Sequence, residues 1–189
     1  MTATNPTLVQ QALEATARDD FDSAYALWVS LAEAGDDRAA LHAGLMHHVG
    51  QGRPINHQEA YTWYLKAFDQ NADAWNNIGV LFRDGLGVTQ NRQVTFLLFL
   101  TIHMSGQGGD DTQMRANHNL RREIAELPEE VRQAALCHTP DYLVAYVKSR
   151  GQLDGIPQAC RAGPGRKRFR ELGWWAPGEL APFDCPAGT

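Results

Sequence analysis

A glycine pattern that recurs at a fixed interval constrains this chain more than any other feature. Gly44-Leu45-Met46-His47-His48-Val49-Gly50-Gln51-Gly52 lies over Gly79-Val80-Leu81-Phe82-Arg83-Asp84-Gly85-Leu86-Gly87 at an offset of 35, with three glycines in register. The same offset pairs Asn56 with Asn91, Ala60 with Thr95, Trp63 with Leu98, Tyr64 with Phe99 and Ala67 with Ile102. A backward step of 36 sets Ala60, Trp63, Tyr64 and Ala67 over Ala24, Leu27, Trp28 and Leu31. Three copies of one unit point to an array in which each unit buries its apolar face against the next.

The period inside each unit is helical. Ala60, Trp63, Tyr64 and Ala67 stand at i, i+3, i+4 and i+7, the stripe of an amphipathic helix. Each unit therefore supplies two helices. The spacing predicts first helices over Asp37–Val49 and Ala72–Asp84, and second helices over His57–Gln70 and Arg92–Ser105. Small residues at Gly44, Gly79, Ala60 and Ala67 let neighbouring helices approach, and Trp63, Tyr64, Phe82 and Phe99 fill the space around them. The Gly-x-Gly pairs end the first helices, while Asn56 and Asn91 are placed to cap the second.

These residues resemble the Sel-one-like (Sel1-like) repeat family, a relative of the tetratricopeptide repeat with a longer connection inside each pair. The resemblance rests on Gly44, on Gly50-Gln51-Gly52 and on Ala60-Tyr61-Thr62-Trp63-Tyr64-Leu65-Lys66-Ala67. The third unit keeps Gly79 and Gly85-Leu86-Gly87-Val88 but carries Thr95, Leu98, Phe99, Thr101 and Ile102 in place of the aromatic and lysine element. Arg53 stands where the family has Val, and Asn56 where it often has Asp. The first unit, with 12 positions from Ala12 to Ala24 against 16 from Gly44 to Ala60, has tetratricopeptide length. The resemblance covers roughly residues 7–105 and implies an all-α, right-handed α-solenoid of helix-turn-helix repeats.

Beyond the repeats, Met114, Leu120, Ile124 and Leu127 suggest a helix over Asp110–Leu127. Pro128 and Pro140 can open further helices, the latter over Tyr142–Lys148. The expected organisation is a helical repeat domain over 1–150, with units at about 5–35, 36–70 and 71–106 and closing helices at 110–149. A Gly- and Pro-rich tail, 151–189, follows, with a short helical turn expected near Arg166–Leu172.

Hydrophobic residues at 43% and charged residues at 21% are ordinary for a folded domain. No window approaches eighteen apolar residues, and Val94–Met104 is broken by Thr95, Thr101 and His103, so a non-membrane, cytoplasmic protein is expected. Cys137, Cys160 and Cys185 are too widely spaced for a metal knuckle and read as reduced thiols, with a Cys160–Cys185 bridge as the alternative. Residues 1–160 hold 12 Lys and Arg against 19 Asp and Glu, a net −7, whereas residues 161–189 hold 5 against 3, a net +2.

Chemistry-bearing constellations are sparse. His42, His47, His48 and His57 invite a metal, but His42 is five and six positions from His47 and His48, not the three or four that helical ligands need. His47 instead occupies the aromatic position matched by Phe82. There is no Gly-x-Ser-x-Gly and no Walker-type loop, and the Gly-x-Gly pairs follow helices, not strands. No catalytic residues, cofactor or metal are therefore expected.

What the resemblance implies is a protein or peptide partner lying along the concave face of the first helices. With each unit's glycine as the register mark, that face comprises Leu41, Leu45 and His48, then Asn76, Val80 and Arg83. An Asn amide can bind a peptide backbone, and an Arg guanidinium a carboxylate. The alternative is a polyanion or nucleic-acid module using Arg166, Lys167, Arg168, Arg170 and Trp174, with Trp175 beside it.

Overall fold

The computed structural model describes residues 5–69, 71–129, 131–132 and 140–151, with the backbone alone at 140–142. Among them all regular structure is helical. The elements are α1 (Pro6–Ala17), α2 (Phe21–Glu33), α3 (Asp37–Val49), α4 (His57–Ala67), α5 (Ala72–Asp84), α6 (Arg92–Ser105), α7 (Asp110–Glu126) and α8 (Pro140–Lys148). The expected first helices and α6 are found with the same ends. The second helix of the middle unit is shorter than the expected His57–Gln70 and stops at Ala67.

Each helix through α6 starts on a short polar side chain that takes up orphan amides of the first turn. Asn5 caps α1, Asp20 caps α2 by accepting from the Ser23 amide, and Asp36 caps α3 by accepting from Ala39 at 2.9 Å. Asn56 accepts from Glu59 at 3.1 Å, Asn71 from Asp73 at 2.9 Å and Asn91 from Val94 at 3.1 Å. Of these, Asn56 and Asn91 are the caps expected from the sequence. The chain thus marks the start of every repeat helix locally, before any packing.

The described residues fall into two compact units, divided between Leu81 and Phe82 inside α5. In the first, α3 packs on α4 through Gly44. A Cβ at Gly44 would lie 2.5 Å from the Tyr64 ring and 3.2 Å from the Ala60 carbonyl, so only glycine permits this approach. Tyr61, Tyr64 and Phe68 are fully buried beside Ala60 and Ala67. The Trp75 indole stacks on Phe68 at 5.2 Å and its N–H donates to the Phe68 carbonyl, tying α5 to the end of α4. Gly52, at φ +67°, brings the α3–α4 connection onto Phe21, where a Cβ would sit 2.3 Å from the Phe21 Cβ. A side chain there would be both strained and blocked.

The second unit is built on α6, whose Val94, Thr95, Phe96, Leu97, Leu98, Phe99, Thr101 and Ile102 are all buried. The helix expected over Asp110–Leu127 is found as α7, but its large apolar residues do not all turn inward. Met114 is 65% exposed and Ile124 46%, whereas Thr112, Ala116, Leu120, Glu123 and Leu127 are buried. Six residues from Met114 to Leu120 amount to about 240° of helical rotation, which cannot place both on one face. The true stripe runs at i, i+4, i+8, i+11 and i+15 and passes through a carboxylate. Glu123 is fully buried, and its Oε2 accepts from Arg92 Nε at 3.0 Å. From α8, Tyr146 packs on Phe82 at 5.8 Å and its hydroxyl accepts from the Asn91 amide at 2.9 Å.

No helix among the described residues is long and apolar enough to cross a membrane.

Candidate functional site

On α3, Leu41, Leu45 and His48 bracket Gly44 at −3, +1 and +4, and each is half-buried. The face exists because Gly44, with Ala40 and Ala43 also buried, commits the other side of the helix to packing. His48 is held from within, its Nδ1 3.0 Å from the Tyr64 hydroxyl and its ring edge-on to His57 at 5.3 Å. Burial pushes the Tyr64 phenol well above its ordinary range, so this hydroxyl keeps its proton at any physiological pH.

On α5, Val80 is half-buried and Asn76 is buried at 4% exposure, so the amide is part of the interior more than of the open face. The starts of α3 and α5 meet where Asn71 Nδ2 comes within 3.5 Å of Asp37 Oδ2. Five of the six expected face residues therefore belong to the first unit. Arg83 belongs to the second, where it is engaged internally. Its Nε and NH2 each donate to Asp84 at 2.8 Å, and NH1 donates to Asn119 at 3.2 Å. The hydrogen-bonded pairing holds the Asp84 carboxyl below its ordinary value. A carboxylate for Arg83, expected from a partner, is thus supplied by the next residue along.

His48 and His57 meet each other, whereas His42 and His47 pack on separate rings of α2. His42 stacks on Trp28 at 4.3 Å, and His47 meets Tyr25 edge-on at 5.4 Å with Nε2 3.0 Å from its hydroxyl. Among the described residues no three His, Cys, Asp or Glu side chains are grouped to hold a metal. Sequence reasoning passed over Arg53, whose guanidinium lies 3.3 Å over the Tyr25 ring, and Lys66, whose ammonium lies 3.9 Å over Trp63. The departure of Arg53 from the family's Val was the available signal. Arg166, Lys167, Arg168, Arg170, Trp174 and Trp175 lie outside the described residues, as do Cys137, Cys160 and Cys185.

Burial on Trp28 lowers the His42 pKa below 6.5, and the nearby Asp36 only partly opposes it. A folded-state value below the unfolded one means that the contribution is complete above pH 6.5 and is lost as pH falls beneath it. The urea midpoint should accordingly drop between pH 7.5 and 5.5. In His42→Phe, which keeps a ring on Trp28, the drop should be smaller; an equal drop would remove His42 as a source.

No family model matches the chain, and no curated protein is similar to it. Among solved structures it is similar to c5321, a protective antigen of uropathogenic Escherichia coli displaying an SLR fold, with a TM-score of 0.62 and 17% identity over 92% of this chain. The chain spans 34% of that protein's length. A Sel1 repeat protein from Oxalobacter formigenes aligns over 88% of this chain and 80% of its own, with 20% identity and a TM-score of 0.44. The likeness to the first shows the fold: this chain is all-α, with the SLR fold of paired helices.

Proposed function

We propose that this chain is a binding adaptor that recognises a protein or peptide partner with the outward face of α3. Leu41 and Leu45 form the apolar centre, His48 the polar end, and Val80 on α5 the continuation within the same unit, with Asn76 buried behind it. The observation that supports it most is the pair of half-exposed leucines in register, on a helix whose opposite face is fixed by Gly44. Two apolar side chains left partly wet on a rigid support are the ordinary core of a recognition patch. Binding, not catalysis, is the reading that fits His42 and His47 packed on Trp28 and Tyr25 and His48 held by Tyr64. Arg83 would contribute separately, through the Asp84 and Asn119 group that it organises.

A photoreactive phenylalanine analogue installed at Leu45 and, as a control, at the exposed Gln58 on α4 tests this in cells. The Leu45 probe should trap a discrete species absent from the Gln58 probe, and Leu41→Asp should abolish that species. Indistinguishable crosslinking from both positions would remove the α3 face as the recognition surface.

A further inference from the structure

Residues 50–56, which connect α3 to α4, are held down by four attachments in the first unit. Gly52 rests on Phe21, and the Arg53 guanidinium covers the Tyr25 ring. The Gln51 amide donates to the Met46 carbonyl and the Asn56 amide to the His47 carbonyl, both at 2.9 Å. His47 thus carries one end of the connection on its backbone, while its ring faces Tyr25, whose opposite attachment is Arg53. We propose that His47 is a proton-operated latch: its neutral ring keeps the connection closed on α2, and its protonation releases residues 50–56 and bares Tyr25 and Phe21.

The geometry favours a neutral ring. Nε2 shares one hydrogen with the Tyr25 hydroxyl across 3.0 Å, whichever of the two donates. Nδ1 is buried with no hydrogen-bond partner among the described residues. Adding a proton fills both nitrogens. Where Nε2–H donates to Tyr25, the added proton goes to Nδ1 and makes a buried donor without an acceptor; where the Tyr25 hydroxyl donates, it goes to Nε2 and turns that hydroxyl hydrogen away. The new charge also sits beside a tyrosine that already carries Arg53 on its face.

Charged and titratable groups on each neighbouring element bear on this. From α2 comes Tyr25, and from the connection Arg53, which repels a cationic ring. From α4 comes Glu59, which favours one, and more remotely Lys66, lying on the Trp63 ring whose edge meets Tyr25 at 6.5 Å. On α3 itself His48 turns away to Tyr64 and His57. Burial first, then Arg53, depresses the His47 pKa below 6.5, outweighing Glu59. The sign follows: closure is complete above pH 6.5 and weakens as pH falls below it, by at most about tenfold per pH unit for one proton.

The third repeat suggests the variant. Phe82 occupies the position of His47 and is fully buried, so His47→Phe places there a ring that the repeat already accepts. Amide hydrogen-exchange protection at Gln51 and Asn56, corrected for intrinsic rates, is measured in the full chain between pH 7.5 and 5. Wild type should lose about tenfold or more, His42→Phe should behave as wild type, and His47→Phe should stay flat. Equal losses in wild type and His47→Phe, or none in wild type, would overturn the latch. Should His47→Phe not fold, an NMR titration of the wild-type ring decides. A midpoint below that of free histidine, shared with the Asn56 amide shift, supports it; a midpoint near 6.5 without that shift refutes it.

Discussion

Gly44→Val should destabilise the protein by about 3 kcal/mol, seen as a fall in urea midpoint at unchanged slope, because its new carbons enter space that Tyr64 fills. A Cβ alone would lie 2.5 and 2.6 Å from two Tyr64 ring carbons. The ring has little room to retreat, being fully buried and hydrogen-bonded to His48 at 3.0 Å. Gly44→Ala should cost less, since alanine returns about 1 kcal/mol of helix propensity against the clash. The cause is separable from general damage to the helix. Placed in a Tyr64→Leu background, Gly44→Val should lose much of its effect, giving a coupling energy above about 1 kcal/mol. Strict additivity of the two substitutions would show that the close approach of α3 and α4 is not what the glycine provides.

The repeat was legible because its signals are local and agree with one another. Asp36, Asn56 and Asn91 each announce a helix start by a single side chain, and Gly44 marks where α3 and α4 pack close. Tertiary choice was not legible. Nothing in the spacing of Met114 and Ile124 says that they face outward, because a hydrophobic residue on a surface carries no local signature. Glu123 misleads in the opposite sense, since a carboxylate reads as exposed unless the partner that neutralises it, Arg92, is known to lie 31 residues back in the fold. Register alone puts Leu41, Leu45 and His48 on one side of α3, where each is half-buried. Register could not reveal that Asn76 is turned inward or that Arg83 is spoken for by Asp84 and Asn119.

Arg92→Met should cost about 3 kcal/mol at pH 7, although its own guanidinium is partly exposed. The penalty falls on what remains. Glu123 is fully buried, one of its oxygens already has no partner, and the other depends on Arg92 at 2.9 Å. Even with Arg92 present, burial outweighs the pairing and raises the Glu123 pKa. The contacts of Arg92 and Arg122 to the exposed Glu126 are worth little by comparison. Two results follow from the sign. A raised folded-state value means that the burden of the buried charge is greatest at high pH and is relieved as pH falls through that value, so the loss in Arg92→Met should shrink on acidification from pH 7 to about 5.5. Asp84 and Glu126, held below their ordinary values, stay ionised across that window and do not mask the trend. Adding Glu123→Met in cis should restore most of the stability, because the pair is replaced by apolar groups of similar volume on a face shared with Ala116, Leu120 and Leu127. If the double variant is as unstable as Arg92→Met alone, the buried carboxylate is not the source of the cost, and Arg92 acts through its packing.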